Sequence, residues 1–348
     1  MEREAVERRA WLTREQFLDL VGACNLMPGP SSTQVAMGIG YNLRGWIGLV
    51  LAGLCFIVPA SLATLALAWA YVRYGQLPQS QGLLYGAKPV VVAIILQAVW
   101  RLGRLALHRW VLGVLGIFCL AAAFAGVPPI AILLASGAAA MLLTRQRSIP
   151  RSPHSMAWVS AGTGSTAAAG LAGSAGLLSL TLVFLKLGVV VFGSGYVLLA
   201  FLKADLVDRL HWITEPQLLD AITAGQVTPG PAFATATFLG YLLHSWSGAA
   251  VATTAIFLPS FFLAAVASVL AGRIRRSPIA VAFIDGVNIA AVALMAEVGF
   301  ALARATLVDG WTWTLGLVSL ALLLRFPVNA TWLILSGAAI GIALHGLH

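Results

Sequence analysis

Two short stretches of the sequence combine residues that could hold an anion. Pro28-Gly29-Pro30 is followed at once by Ser31, Ser32 and Thr33, with Gln34 beside them and Asn25 shortly before. Pro229-Gly230-Pro231 carries Gln226 and Thr228 ahead of it and Thr235 after it. Proline cannot continue a helix and disfavours helix in the residue before it, so each motif reads as a break between two half-helices. A helix that starts at such a break turns free N–H groups and the positive end of its dipole toward the gap, which makes a ready anion site. The nearby hydroxyl and amide donors suit a tetrahedral oxyanion. The competing reading of each motif is a proline kink that only shapes packing.

Charged residues inside apolar segments are functional candidates by default. Asp19 and Asp220 each lie nine residues before the first proline of their motif. Lys88 sits within the apolar run 83–100, Glu297 within 279–303, Lys186 just before Phe192-Gly193-Ser194-Gly195, and Asp285 near the start of its run. A basic residue facing a cavity, such as Lys88, could neutralise a dianion. A carboxylate among Asp19, Asp220 and Glu297 could carry a coupling proton. For each, a structural ion pair or an interfacial position is the alternative. Arg8 and Arg209 stand beside tryptophans, where plain interfacial anchoring explains them.

Other chemistry has little to rest on. No HExxH-like pair exists, and all six histidines fall in loops, at segment ends or at the C-terminus, so neither a metalloprotease nor a serine hydrolase can be assembled. Cys24, Cys55 and Cys119 lack paired spacing. An enzyme, a cofactor and a metal are therefore not expected.

The elements that must position these residues are membrane helices. Of 348 residues, 60% are hydrophobic and 9% charged, against about a quarter charged in a soluble domain. Spans are expected at 46–72, 83–100, 110–125, 128–143, 176–200, 246–272, 279–303, 311–325 and 327–344. The shorter runs 15–27, 31–43, 215–228 and 232–243 flank the two PGP motifs as half-helices. The net charge of +9 resides in short loops, which fits the positive-inside bias and not nucleic-acid binding.

The chain is duplicated. Trp11-Leu12-Thr13 recurs as Trp212-Ile213-Thr214 and the PGP motif recurs, both 201 positions on. Gly40-Tyr41, Trp46, Pro59 and Ser136-Gly137-Ala138-Ala139 recur 200 positions on. The copies are 1–143 and 173–348, joined by a cytoplasmic linker over 144–172. The span 176–200 has no partner in the first copy, which is expected to lack its opening helix and to leave a groove there. Arg101, Arg104 and Arg109 follow the second long run of the first copy, whereas Arg273, Arg275 and Arg276 follow the first long run of the second. That swap places the copies upside down relative to each other. The expected fold is an all-α polytopic membrane protein of two inverted repeats, each with a helix broken at PGP.

The stretches KLGVVVFGSGY, WITEPQLLDAITAGQVTPGPAFATATFLGY and IFLPSFF, with ERRAWLTREQFLDLVGACNLMPGPSSTQVAMGIGY and FIVPAS in the first copy, resemble the chromate ion transporter family. The resemblance implies a multi-pass protein of the bacterial cytoplasmic membrane that exports chromate, driven by the proton-motive force. It adds Gly193 and Ser194 to the candidates and strengthens Arg8 and Arg209. The expected partners are an oxyanion, protons and the bilayer, with a homodimer left open. The sequence departs from the family where the glycine-rich motif reads FGSG. A sulfate or other oxyanion transporter, or an anion channel, is the alternative.

Overall fold

The computed structural model describes residues 1–75, 77–106, 110–147, 176–191, 195, 197–274, 278–326 and 328–345. The chain is an all-α membrane protein, and no strand occurs among the described residues. The first copy holds α1 (Arg14–Leu26), α2 (Ser31–Tyr74), α3 (Pro78–Ala106), α4 (Trp110–Phe124) and α5 (Pro129–Arg147). The second opens with α6 (Leu177–Val190) and α7 (Val197–Leu202). It continues with α8 (Glu215–Val227), α9 (Thr235–Ile274), α10 (Pro278–Thr306), α11 (Gly310–Arg325) and α12 (Ala330–His345). Helices α8 to α12 follow the order of α1 to α5.

The repeated Trp-Leu/Ile-Thr marks a helix start. Thr13 accepts a hydrogen bond from the Gln16 amide while the Gln16 side chain accepts from the Thr13 amide, and Thr214 and Gln217 do the same. This reciprocal cap satisfies two amides that a helix start would leave unpaired. Each capped helix then runs 13 residues to its PGP motif, about 20 Å.

Each PGP motif is the tip of a helical hairpin. A Cβ on Gly38 would lie 2.6 Å from Leu20 Cδ1, and these residues stand nine positions either side of Gly29. In the second copy a Cβ on Gly225 would lie 2.3 Å from Thr235 Oγ1, five positions either side of Gly230. Legs of this length cannot cross a hydrocarbon core of roughly 30 Å.

A second reversal follows. Arg44 and Gly45 leave helical geometry inside α2, and His244 and Ser245 do so inside α9 with nearly the same angles. Beyond each bend the chain folds back on itself: Gly40 meets Gly48 and Gly240 meets Gly248, where any Cβ would strike a carbonyl oxygen at 2.0 to 2.3 Å. Trp46 packs edge-on against Tyr41 across the bend, and Trp246 against Tyr241. Both tryptophans are exposed, as suits residues at a membrane–water interface.

Among the described residues four helices, α2, α3, α9 and α10, are long and apolar enough to cross a bilayer. The other runs expected to span fold as shorter helices of 14 to 19 residues: α4, α5, α6, α11 and α12. The run 176–200 is not one helix. It breaks after Val190 and resumes at Val197, because glycines weaken the helix there and the Val191 carbonyl is held by the Gly29 amide at 2.6 Å. Gly193 and Ser194 lie outside the described residues. Of the expected linker, 144–147 continue α5, and the remainder lies outside the described residues.

The main helix pairs persist when the copies are exchanged, with α2 on α9, α3 on α12 as α10 on α5, and α11 on α3 as α4 on α10, but α8 packs on α3 and α12 whereas α1 packs on α9. Small residues allow the close approaches. A Cβ on Gly86 would lie 2.0 Å from the Gly337 carbonyl oxygen, and one on Gly286 2.3 Å from that of Ser136. The equivalent helices α3 and α10 run antiparallel where they meet, since Gly103 faces Val292 while Ile95 and Leu96 face Gly299. Helix α6 breaks this symmetry. It packs on α9 so closely that a Cβ on Gly188 would lie 2.4 Å from the Ile256 carbonyl oxygen. No described helix covers the equivalent face of α2, where Cys55 is exposed and its counterpart Ala255 is buried.

Candidate functional site

The two tips open into one cavity. It has a volume of about 640 Å³ and is lined by Asn25, Pro30, Ser31 and Ser32 of the first hairpin and by Gln226, Thr228, Gly230 and Pro231 of the second. Helices α3 and α10 close it with Leu102, Leu105 and Ala106, and with Asp285, Asn288, Ala291, Val292 and Met295. Gly195, just past the break after α6, also lines it. The space is far larger than the ~30 Å³ share of one water. A tetrahedral anion can therefore enter with part of its hydration shell.

The backbone at each tip explains its glycine. Gly29 has φ +109, a conformation that other L-residues rarely adopt. A Cβ there would sit 2.7 Å from Gln34 Nε2 and 3.0 Å from Ser260 Oγ. At Gly230 it would sit 2.3 Å from Ala60 Cβ. Pro30 and Pro231 begin the outgoing legs, and neither cap makes a side-chain hydrogen bond. The Gln34 amide turns back to the Pro30 carbonyl and the Ala234 amide to the Pro231 carbonyl, while Ser31, Ser32 and Ala232 of the two first turns line the cavity.

Polar atoms also gather behind the tips. Gln34 Nε2 donates to the Pro28 carbonyl, and Thr228 Oγ1 donates to the Gly225 carbonyl and lies 3.1 Å from Thr64 Oγ1. The hydroxyls of Thr33, Ser61 and Ser260 and Oε1 of Gln34 are buried without a hydrogen-bond partner. Thr33 is wholly buried, although its neighbour Ser32 faces the cavity.

Of the charged candidates Asp285 lines this cavity, and the others lie elsewhere. Lys88 and Asp220 form an ion pair at 2.9 Å, with Tyr71 donating to the other carboxylate oxygen of Asp220 at 3.0 Å. They line a separate cavity of about 660 Å³. Glu297 lines a third cavity, 3.6 Å from Lys203, which also pairs with Asp208. Arg209 shares the buried Asp205 with Lys186, at 3.1 and 2.7 Å. Arg8 pairs with Glu4 on an exposed turn. Neither Asp19 nor Thr235 lines the shared cavity, and Pro28, Gly29 and Pro229 support the tips from behind its walls. Among the described residues the cavity lining includes one carboxylate, Asp285, and no lysine or arginine, so the attraction for an anion that the described lining supplies comes from helix starts and neutral donors. The walls contributed by Leu102, Phe233 and Met295 had no legible signal in sequence. Tyr71 had one, a phenol inside an apolar run.

Comparison with known proteins follows the same outline. A family described as Chromate transporter matches residues 1–141 and 178–342. A chromate transport protein of Cupriavidus metallidurans is 32% identical over 98% of this chain and 86% of its own length. One from Pseudomonas aeruginosa is 30% identical over 88% of this chain and 76% of its own. A probable chromate transport protein of Synechococcus elongatus is 30% identical over 92% and 82%. No solved structure matches the chain.

Proposed function

The chain belongs to the chromate transporter family, and we propose that it exports chromate across the bacterial cytoplasmic membrane, driven by the proton-motive force. The observation that carries this reading is the meeting of both PGP tips in one cavity. Each helix start contributes about half a positive charge. Two of them, with Ser31, Ser32, Asn25 and Gln226 as donors, match a tetrahedral dianion. Broken helices in repeat-related positions are where transporters of this build bind their substrates.

The two copies are inverted repeats in this reading. Support comes from the antiparallel meeting of α3 with its equivalent α10 and from the swapped loop charges. Leu102 and Leu105, which wall the cavity, alternate with Arg101 and Arg104 at the end of α3. The positive-inside rule puts that end in the cytoplasm, so the cavity loads from inside the cell. The membrane potential, negative inside, already favours outward movement of a dianion by about 2.3 kcal/mol per charge per 100 mV. Proton coupling adds to it. Of Asp19, Asp220 and Glu297, Asp220 is the strongest candidate carrier, because it is buried on the second hairpin and faces Lys88 of α3 and Tyr71 of α2.

Everted membrane vesicles containing the protein test this directly. Energised vesicles should accumulate labelled chromate, and a protonophore should abolish the accumulation. Vesicles that hold the protein and accumulate no chromate would overturn the reading, and flux of sulfate alone would reassign the substrate.

A further inference from the structure

The cavity at Lys88 mirrors the one at the tips. It is walled by Tyr85 and Lys88 of α3 and by Ala305 and Thr306 of α10. The residues 200 positions away, Asp285, Asn288, Leu105 and Ala106, all line the first cavity. The two cavities occupy opposite ends of the same helices. On α3, Lys88 and Leu105 are separated by about 26 Å at 1.5 Å per residue, close to the thickness of a hydrocarbon core.

They differ in depth. The first cavity runs past Ala291, Val292 and Met295 to both tips. The equivalents of those residues, Val91, Val92 and Ile95, do not line the second cavity, and neither does any residue of either PGP motif. The second cavity ends instead at Asp220, whose side chain is 5% exposed and is held by Lys88 and Tyr71. Behind it the Tyr71 ring packs on Phe238 at 5.2 Å, and Thr64 meets Thr228. Both bonds to Asp220 tie the incoming leg of the second hairpin to helices of the first copy.

We propose that the second cavity is the opposite entrance to the same site, and that the Lys88–Asp220 ion pair, backed by Tyr71, is the latch that keeps it shut in this conformation. The proposal rests on the transporter reading and deepens it. Parting a buried ion pair leaves two desolvated charges, so the pair resists opening. The reciprocal latch would be weaker. The repeat partners of Lys88 and Asp220 are Asn288 and Asp19, an amide and a carboxylate, which form no ion pair with each other. Two closures of unequal strength explain why one cavity reaches the tips and its mirror does not. When the latch opens, the second cavity gains access to the tips and the Lys88 ammonium is free to draw the anion outward.

Thiol labelling of the full chain tests the latch without any substrate. Cys24, Cys55 and Cys119 are first replaced by alanine. Ser32→Cys then reports access to the tips, and Thr306→Cys reports the second cavity. An anionic, membrane-impermeant methanethiosulfonate is applied to right-side-out and everted vesicles. Ser32→Cys should react from one face and Thr306→Cys from the other. Lys88→Asn or Asp220→Asn should raise labelling of Ser32→Cys from the opposite face by about tenfold or more, as a shifted two-state equilibrium requires. The exchanged pair Lys88→Asp with Asp220→Lys should return it toward the parent. Reaction of both reporters from the same face, or an unchanged rate in either single variant present at parental level, overturns the proposal. If the single variants do not reach the membrane, Tyr71→Phe decides, with unchanged labelling overturning the latch. A protein that labels as expected but moves no chromate would sink the substrate reading and leave the latch standing.

Discussion

At the scale of single residues, the tips are defined by what cannot be added to them. Gly230 touches Ala60 of the other copy so closely that a methyl group would land 2.3 Å from Ala60 Cβ, well inside van der Waals contact. Gly230→Ala should therefore displace the second tip from the shared cavity. We expect chromate export to fall by about tenfold or more, the effect of roughly 1.4 kcal/mol on a barrier, with the protein still present in the membrane. The double variant Gly230→Ala with Ala60→Gly removes the collision but leaves the backbone strain of an alanine at φ +157, and should recover part of the lost transport. Export in cells and protein amount by immunoblot check both. Full activity of Gly230→Ala would mean that the tip does not touch the substrate path. The first tip differs in kind, because Ser260 stands where the second has Ala60 and places a buried hydroxyl beside Gly29.

At the scale of elements, the bends inside α2 and α9 are the same turn made by different residues. Gly45 sits at φ 57, ψ −141 and Ser245 at φ 50, ψ −140. Glycine reaches this region without a Cβ penalty, whereas other residues there carry about 1–3 kcal/mol of strain. The strain in α9 is held by the packing of Gly240 on Gly248 and of Tyr241 on Trp246. Ser245 is exposed, so its hydroxyl contributes little packing. Ser245→Gly should stabilise the protein by about 1 kcal/mol, read as a higher thermal midpoint in detergent. Gly45→Ala should destabilise it through the backbone alone, since a Cβ at Gly45 would meet nothing within 4 Å. A lower midpoint for Ser245→Gly would show that the serine makes a contact worth more than the strain.

At the scale of the whole molecule, exchanging the copies preserves the main helix pairs but not the packing of α1 and α8, nor the cavities. The preserved packing follows from duplication, because equivalent glycines allow equivalent approaches. The unequal cavities accompany differences between the copies, among them Lys88 against Asn288 and the packing of α8 on α3. In the inverted arrangement proposed above, the asymmetry has a direction across the membrane. Reporter fusions after residue 75 and after residue 276, positions equivalent in the repeat, should report opposite compartments. The same compartment for both would rule out inversion, and the two cavities would then need another account.

The sequence alone determined the helical class, the duplication, the breaks at PGP and the family, because each of these depends on local chemistry. Proline removes a backbone donor wherever it stands, a long apolar run needs lipid wherever it folds, and a Thr-x-x-Gln box caps the helix it begins. Asn25, Ser31, Ser32, Gln226 and Thr228 were legible as neighbours of a break that had to face something polar, and all five line the shared cavity. Thr33 was not separable from Ser32 in sequence. Successive helical residues point about 100° apart, and only the packed helix shows that Ser32 faces the cavity while Thr33 faces the core. Lys88 and Asp220 were legible as important and not as partners. Their meeting, like that of Tyr71 with Asp220 across 149 positions, is set by how two copies of one fold cross each other, and no local preference encodes that crossing.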